Sequence, residues 1–288
     1  MNGNKNSILA FIPQNRGGEL VLKEALYFQQ IFEMRIFILN VIKTPSLFSK
    51  IFKTEQIEAI RVKVQQELSD FVRNILKKEI PKNIILKIKT GDIVSNLIHE
   101  SKRGGYDFII VDKSKNSFVG AWHWRKFDKF VSKSGCPVLT INKDFPIREI
   151  KKIIIPIDIS QNTKKRLLWA TLFAKKFNAK IQIVSALNVN ISETKSLAYK
   201  NAVKIKHLLW GRGVECDVKI LKVQSQRKHE AILKYINYEK PELVIIRTHQ
   251  ESIFAETSIG KFVSKIVHGC KMPVFTVNYS KKPLAQLY

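Results

Sequence analysis

The side chains of this chain best able to do chemistry are six histidines, three cysteines and one segment that interleaves aromatic with basic groups. His268 and Cys270 are two apart, and residues at that spacing on a helix do not face one another, so Cys270 is expected to pack at a helix end and not to act as a nucleophile. No two histidines stand four apart with a glutamate between them, and Cys136, Cys216 and Cys270 are too widely spaced for C-x-x-C pairs. The phosphate cradles G-x-x-x-x-G-K-[ST] and G-x-G-x-x-G are absent, as is the hydrolase elbow G-x-S-x-G. No catalytic residue and no metal site are expected. Trp122-His123-Trp124-Arg125-Lys126-Phe127 has the composition that stacks on single-stranded bases, but Phe127, Phe130 and Val131 follow at helical spacing and are expected to be buried.

Charge is the unusual feature. Fifty Lys plus Arg against 24 Asp plus Glu give a net charge of +26 and an isoelectric point near 10.0. Nucleic acid is admitted as a partner on that ground, yet the lysines are spread along the chain, and a solvated surface is favoured over a polyanion site. No apolar run approaches the length of about 18 residues that a membrane helix needs, so no membrane is expected. The first residues lead straight into a strand-like segment without the apolar core of an export signal, and a cytoplasmic location is the default.

The elements that would position any site repeat. Aligning Ile8 with Ile153 sets an offset of 145 (153 − 8), which also carries Ala25 onto Ala170, Phe28 onto Phe173, Phe32 onto Phe177 and Ile36 onto Ile181. Near the end of each copy Pro137-Val138 answers Pro273-Val274, an offset of 136 (273 − 137), so the second copy is nine residues shorter in its middle. The first copy reads as strand Ile8–Ile12, helix Gly18–Phe32, strand Arg35–Ile42, helix Gln56–Lys77, strand Ile84–Lys89, helix Val94–Lys102, strand Phe108–Val111, helix Trp124–Ser134 and strand Val138–Asn142. In the long helix Ile57, Ile60, Val64, Leu68, Phe71, Val72 and Ile75 mark one face. Its partner, Thr194–Gly211, carries Leu197, Val203, Ile205 and Leu208. Continuous apolar runs such as Phe108–Val111 and Leu243–Ile246 suit strands covered on both faces. Alternating strands and helices predict an α/β fold of two doubly wound, five-stranded parallel-sheet domains in tandem, Rossmann-like with strand order 3-2-1-4-5, over residues 1–146 and 147–288.

This order resembles the universal stress protein family. The resemblance rests on a strand ending in an acid (Ile153-Ile154-Ile155-Pro156-Ile157-Asp158), a Gly-Asp helix entry (Gly91-Asp92) and a closing helix with a Pro-Val strand (Lys265 through Val277). Family members that bind ATP carry G-x-x-G, nine residues, then G followed by Ser or Thr after the fourth strand, because backbone N–H groups must approach phosphate at a helix start. In the second copy the matching residues are Arg247, Gln250, Gly260 and Lys261, with the nine-residue spacing kept and one glycine of three. In the first copy they are Asp112, Lys115, Trp124 and Arg125, with no glycine, and that site is expected to be closed. Asp158 matches the family's acid at the end of the first strand; Pro13 stands at that place in the first copy.

The resemblance implies a non-catalytic, regulatory or stress-protective protein with degenerate ATP sites. It further implies that the two domains form an intramolecular pseudo-dimer through Val138–Asn142 and Val274–Asn278, with a homodimer and an unidentified protein partner both compatible. No cofactor is expected, ATP or AMP being left to the second domain only. Two alternatives are kept: a nucleotide or anion receptor built from Asp158, Arg247, His249, Gln250, Gly260 and Lys261, and charge-driven polyanion binding.

Overall fold

The computed structural model of the protein describes residues 6–13, 18–43, 54–114, 124–157, 164–224, 227–248 and 259–278. The chain divides into two compact units, Met1–Cys136 and Pro137–Tyr288. In the first, β1 (Ser7–Phe11), α1 (Gly18–Phe32), β2 (Arg35–Ile42), α2 (Thr54–Leu76), β3 (Ile84–Thr90), α3 (Ile93–Arg103), β4 (Phe108–Asp112) and α4 (Trp124–Lys133) alternate. The four strands are parallel in the order β3-β2-β1-β4. The second unit opens with β5 (Val138–Ile141). It continues through β6 (Lys152–Pro156), α5 (Lys164–Phe177), β7 (Lys180–Asn188), α6 (Leu197–Trp210), β8 (Cys216–Val223), α7 (Lys228–Glu239), β9 (Leu243–Arg247), α8 (Lys261–Gly269) and β10 (Val274–Val277). Its parallel strands run β8-β7-β6-β9-β10, the 3-2-1-4-5 order, and β5 adds antiparallel beside β10.

The duplication is visible in backbone register. Ile8 lies opposite Ile36 in the first unit, and Ile153 lies opposite Ile181 in the second. Ile12 N donates to Leu39 O at 2.9 Å, and 145 residues later Ile157 N donates to Val184 O at 2.8 Å. Met34 N to Gln29 O (3.3 Å) is repeated as Ala179 N to Ala174 O (2.8 Å). Register also locates the shortening of the second copy. Ile84 stands opposite Ile36 as Cys216 stands opposite Ile181, an offset of 132 (216 − 84), so the loss falls between the second and third strands of the repeat.

The sheet cores are almost wholly aliphatic, with β1, β4, β6 and β9 buried along nearly their whole length because helices cover both faces. Two helix faces differ from the sequence expectation. In α6 the buried stripe is Ala198, Ala202, Ile205 and Leu209, whereas Leu197 and Leu208 are 51% and 42% exposed. Small alanines let this helix settle close on β7 and β8, and the bulkier leucines are turned outward. In α2 the buried residues are Val64, Leu68 and Val72, and Ile60 is 42% exposed, because the N-terminal half of this 23-residue helix extends past the sheet that covers the rest.

Candidate functional site

A doubly wound sheet offers its ligand crevice where the strand order reverses, at the carboxyl ends of the first and fourth strands. In the second unit these are β6 and β9. Arg247 is the last residue of β9, half-buried and level with Val277 of β10. Thr248 follows, buried, its N–H donating to Val277 O at 3.0 Å. The chain returns at Gly260, whose N–H donates to Thr248 O at 3.2 Å and whose carbonyl accepts Ser264 N at 2.9 Å in the first turn of α8. This pair of bonds sets Arg247, Gly260 and Lys261 at one end of the sheet. Asp158, His249 and Gln250 lie outside the described residues.

Gly260 caps α8 with φ −57° and ψ 148° and makes no side-chain hydrogen bond to the helix. A Cβ placed on it would meet nothing within 4 Å, so neither backbone strain nor packing demands glycine here. Lys261 is exposed at the first helical position. A helix start opening on space beside a lysine and an arginine suits an anion.

The same place in the first unit is built differently. Asp112 ends β4, buried, and its Oδ1 accepts Ser114 N at 2.8 Å and Ser114 Oγ at 2.5 Å. That turn commits the carboxylate to the protein and keeps a negative charge where a phosphate would need the opposite. Lys115 and the side chain of Trp124 lie outside the described residues; Arg125 is exposed.

One pair of residues at the crevice was not singled out from the sequence. Asn40 Nδ2 donates to Ile12 O at 2.9 Å, and Ser185 Oγ donates to Ile157 O at 3.1 Å. Both are buried in the second strand of their unit, 145 residues apart, and both hold the carbonyl just beyond the first strand. A short polar residue inside an otherwise apolar strand was the signal that could have found them.

The remaining candidates are structural. Phe127, Phe130 and Val131 are buried as their spacing predicts. All three cysteines are free and buried, and burial, with Asp217 beside it, pushes the Cys216 thiol up to about 12, far from a reactive thiolate. Among the described residues no group of three or more His, Cys, Asp or Glu converges on a point, and no helix is long and apolar enough to cross a membrane.

Residues 149–278 match the family model described as the universal stress protein family. Among solved structures, the chain is similar to a universal stress protein from Archaeoglobus fulgidus DSM 4304 at a TM-score of 0.70 and 17% identity, covering 96% of this chain and 97% of that one. It is also similar to a putative universal stress protein from Pseudomonas aeruginosa UCBPP-PA14, at a TM-score of 0.65 and 17% identity over 96% and 94% of the two chains. None of the curated proteins compared matches it.

Proposed function

We propose that the chain is a tandem universal stress protein: a non-catalytic, cytoplasmic protein with a regulatory or stress-protective role, whose domains 1–146 and 147–288 act as the two halves of an internal dimer. The observation that carries this reading is the duplication itself, in which register and backbone hydrogen bonds recur at a constant offset of 145 across two strands and the helix between them. The antiparallel β5–β10 ladder supports the pairing of halves. Val274 stands opposite Thr140 and Thr276 opposite Val138, and each threonine hydroxyl donates across, Thr140 Oγ1 to Val274 O (3.1 Å) and Thr276 Oγ1 to Val138 O (2.8 Å). A two-fold exchange of this kind is what a self-complementary strand contact produces. The buried Asp112 turn supports a degenerate site in the first domain.

A second reading is favoured by the opening over Gly260: the second domain receives a nucleotide or anion through Arg247, Gly260 and Lys261, with Asp158, His249 and Gln250 beside them. Mass spectrometry of the purified protein for co-purified nucleotide, and calorimetry with ATP, ADP and AMP, separate the two. Heat that disappears in Lys261→Glu supports the receptor; no heat at about millimolar ligand removes it and leaves the ligand-free regulatory protein. ATP turnover by the wild type that survives in Lys261→Glu would overturn the non-catalytic reading.

A further inference from the structure

The first unit carries a set of cations that the second has lost. Lys126, Lys129 and Lys133 are exposed on α4, opposite the buried Phe127, Phe130 and Val131. Helical geometry puts the three within an arc of about 60° and about 4.5 to 6 Å apart along the axis. Helix α3 lies alongside and runs the same way. At one end Lys126 and Lys129 are close enough to Asp92, the α3 N-cap, for their charges to act on its carboxylate. At the other end Gly135 N donates to Ser101 Oγ at 2.9 Å. Lys102 and Arg103, exposed in the last turn of α3, therefore extend the row beyond Lys133.

None of these five cations enters an ion pair among the described residues. The carboxylates nearby are accounted for: Asp92 Oδ1 takes Ser95 N (2.8 Å) and Ser95 Oγ (2.7 Å), Glu100 is buried against Lys87 and Lys89, and Asp128 is half-buried on α4. Helix α2 is the contrast, because its exposed charges neutralise one another in Arg61–Glu58, Lys63–Glu67 and Arg73–Asp70.

The second unit serves as an internal control for a merely lysine-rich composition. Superposing the buried faces, Phe127 on Val263, Phe130 on Ile266, Val131 on Val267 and Leu97 on Ile232, carries Lys126 onto Phe262, Lys129 onto Lys265, Lys133 onto Gly269, Lys102 onto Asn237 and Arg103 onto Tyr238. One cation of five remains, although the fold is the same. A general excess of lysine would have filled both copies alike.

We propose that the α3–α4 face of the first unit binds nucleic acid by its phosphate backbone, without reading the bases. Evenly spaced, unneutralised point charges match a polymer that repeats one negative charge per nucleotide, and their attraction is to charge and not to sequence. The large side chains exposed among the described residues include none from α3 or α4, so a bilayer would find nothing to bury and a protein partner no apolar anchor.

The test uses the full chain and a labelled duplex of about 20 base pairs, two turns, titrated by fluorescence anisotropy over a range of salt. Reversing Lys126, Lys129 and Lys133 to Glu is expected to weaken binding by about tenfold or more and to lower the slope of log affinity against log salt by about 3. Reversing Lys175, Lys200 and Lys234, three exposed lysines of the second unit, changes net charge equally and is expected to cost less than about threefold. Replacement of the same α4 lysines by Gln, with its melting curve checked against the wild type, separates lost charge from lost folding. Equal losses in the two reversal sets would assign binding to overall charge and overturn the proposal. So would an absence of duplex binding at low salt, or binding to anionic lipid vesicles in its place.

Discussion

The two units have one frame and two fillings. At position 24 of the first repeat stands a buried glutamate, and 145 residues on, at position 169, stands a buried tryptophan. Trp169 joins Phe173 and Phe275 at centroid distances of 5.3 and 4.9 Å, a three-ring cluster under α5. The first unit has Phe28 edge-on to Phe108 at 5.3 Å, and beneath α3 a polar network in its place: Glu100 Oε2 accepts Lys87 Nζ (2.9 Å) and the buried Tyr106 hydroxyl (3.0 Å). At the matching depth the second unit pairs Lys152 with Glu239 and Tyr235 with Gln182. The frame tolerates either filling because strand register and helix placement depend on the apolar pattern, while any buried polar group needs only a partner within reach.

The largest effect expected from breaking this symmetry is at the aromatic cluster. Trp169→Ala should cost about 4 kcal/mol in chemical denaturation, since it empties a fully enclosed indole site; a loss below about 1 kcal/mol would mean that other side chains fill the second core. Next comes the joint between the third and fourth helices. Gly135 N takes Ser101 Oγ, whereas at the equivalent joint Lys271 N takes the longer Asn237 Oδ1, both at 2.9 Å. The short serine draws the backbones together, so a Cβ on Gly135 would stand 2.5 Å from Ser101 O. Gly135→Ala should therefore cost about 2 to 3 kcal/mol, and an unchanged melting temperature would refute the close approach.

Glu100→Gln should cost about 2 kcal/mol at neutral pH, because charge-assisted bonds in a buried site are lost, and more than Glu239→Gln, whose partners are better solvated. Burial alone would raise the Glu100 carboxyl, but the Lys87 hydrogen bond and charge, Tyr106 and Lys89 outweigh it and hold the carboxyl below its ordinary value. Its contribution is thus complete above the unfolded carboxylate range and is lost as pH falls through the depressed folded value. Stability of Glu100→Gln should accordingly fall less steeply than wild type in acid; parallel acid limbs would contradict the assignment. Burial, then the Glu100 charge, raises Tyr106, so the phenol stays protonated as a donor over the same range. The smallest effect belongs to Gly260→Ala, expected within about 0.5 kcal/mol of wild type by melting, as open space surrounds the added methyl. A large destabilisation there would show that the glycine serves the fold and not a ligand.

Much of this was legible before any coordinates. The 145-residue offset carried strand, helix and strand onto their counterparts, and α1 and β2 have the bounds that periodicity and β-branched runs predicted. Helix faces were less legible. In α6, alanines at 198 and 202 look neutral in a sequence, and the leucines beside them look buried; only close packing on β7 and β8 reverses the two. At the site, the glycine pattern identified Gly260 and Lys261 as neighbours of Arg247, but the bond from Gly260 to Thr248 that joins them spans a segment whose length alone says nothing of its closure.

The sequence by itself determined the α/β alternation, the duplication and the overwriting of most of the glycine cradle, because these are one-dimensional facts of periodicity, spacing and residue type. Tertiary structure decided which charges are neutralised and which stand open: Asp112 is turned into its own Ser114 loop, Glu100 is drawn under two lysines, and the α4 row is left facing water. Electrostatic pairing depends on distances of a few ångströms between residues remote in the chain, and a net charge of +26 does not contain them.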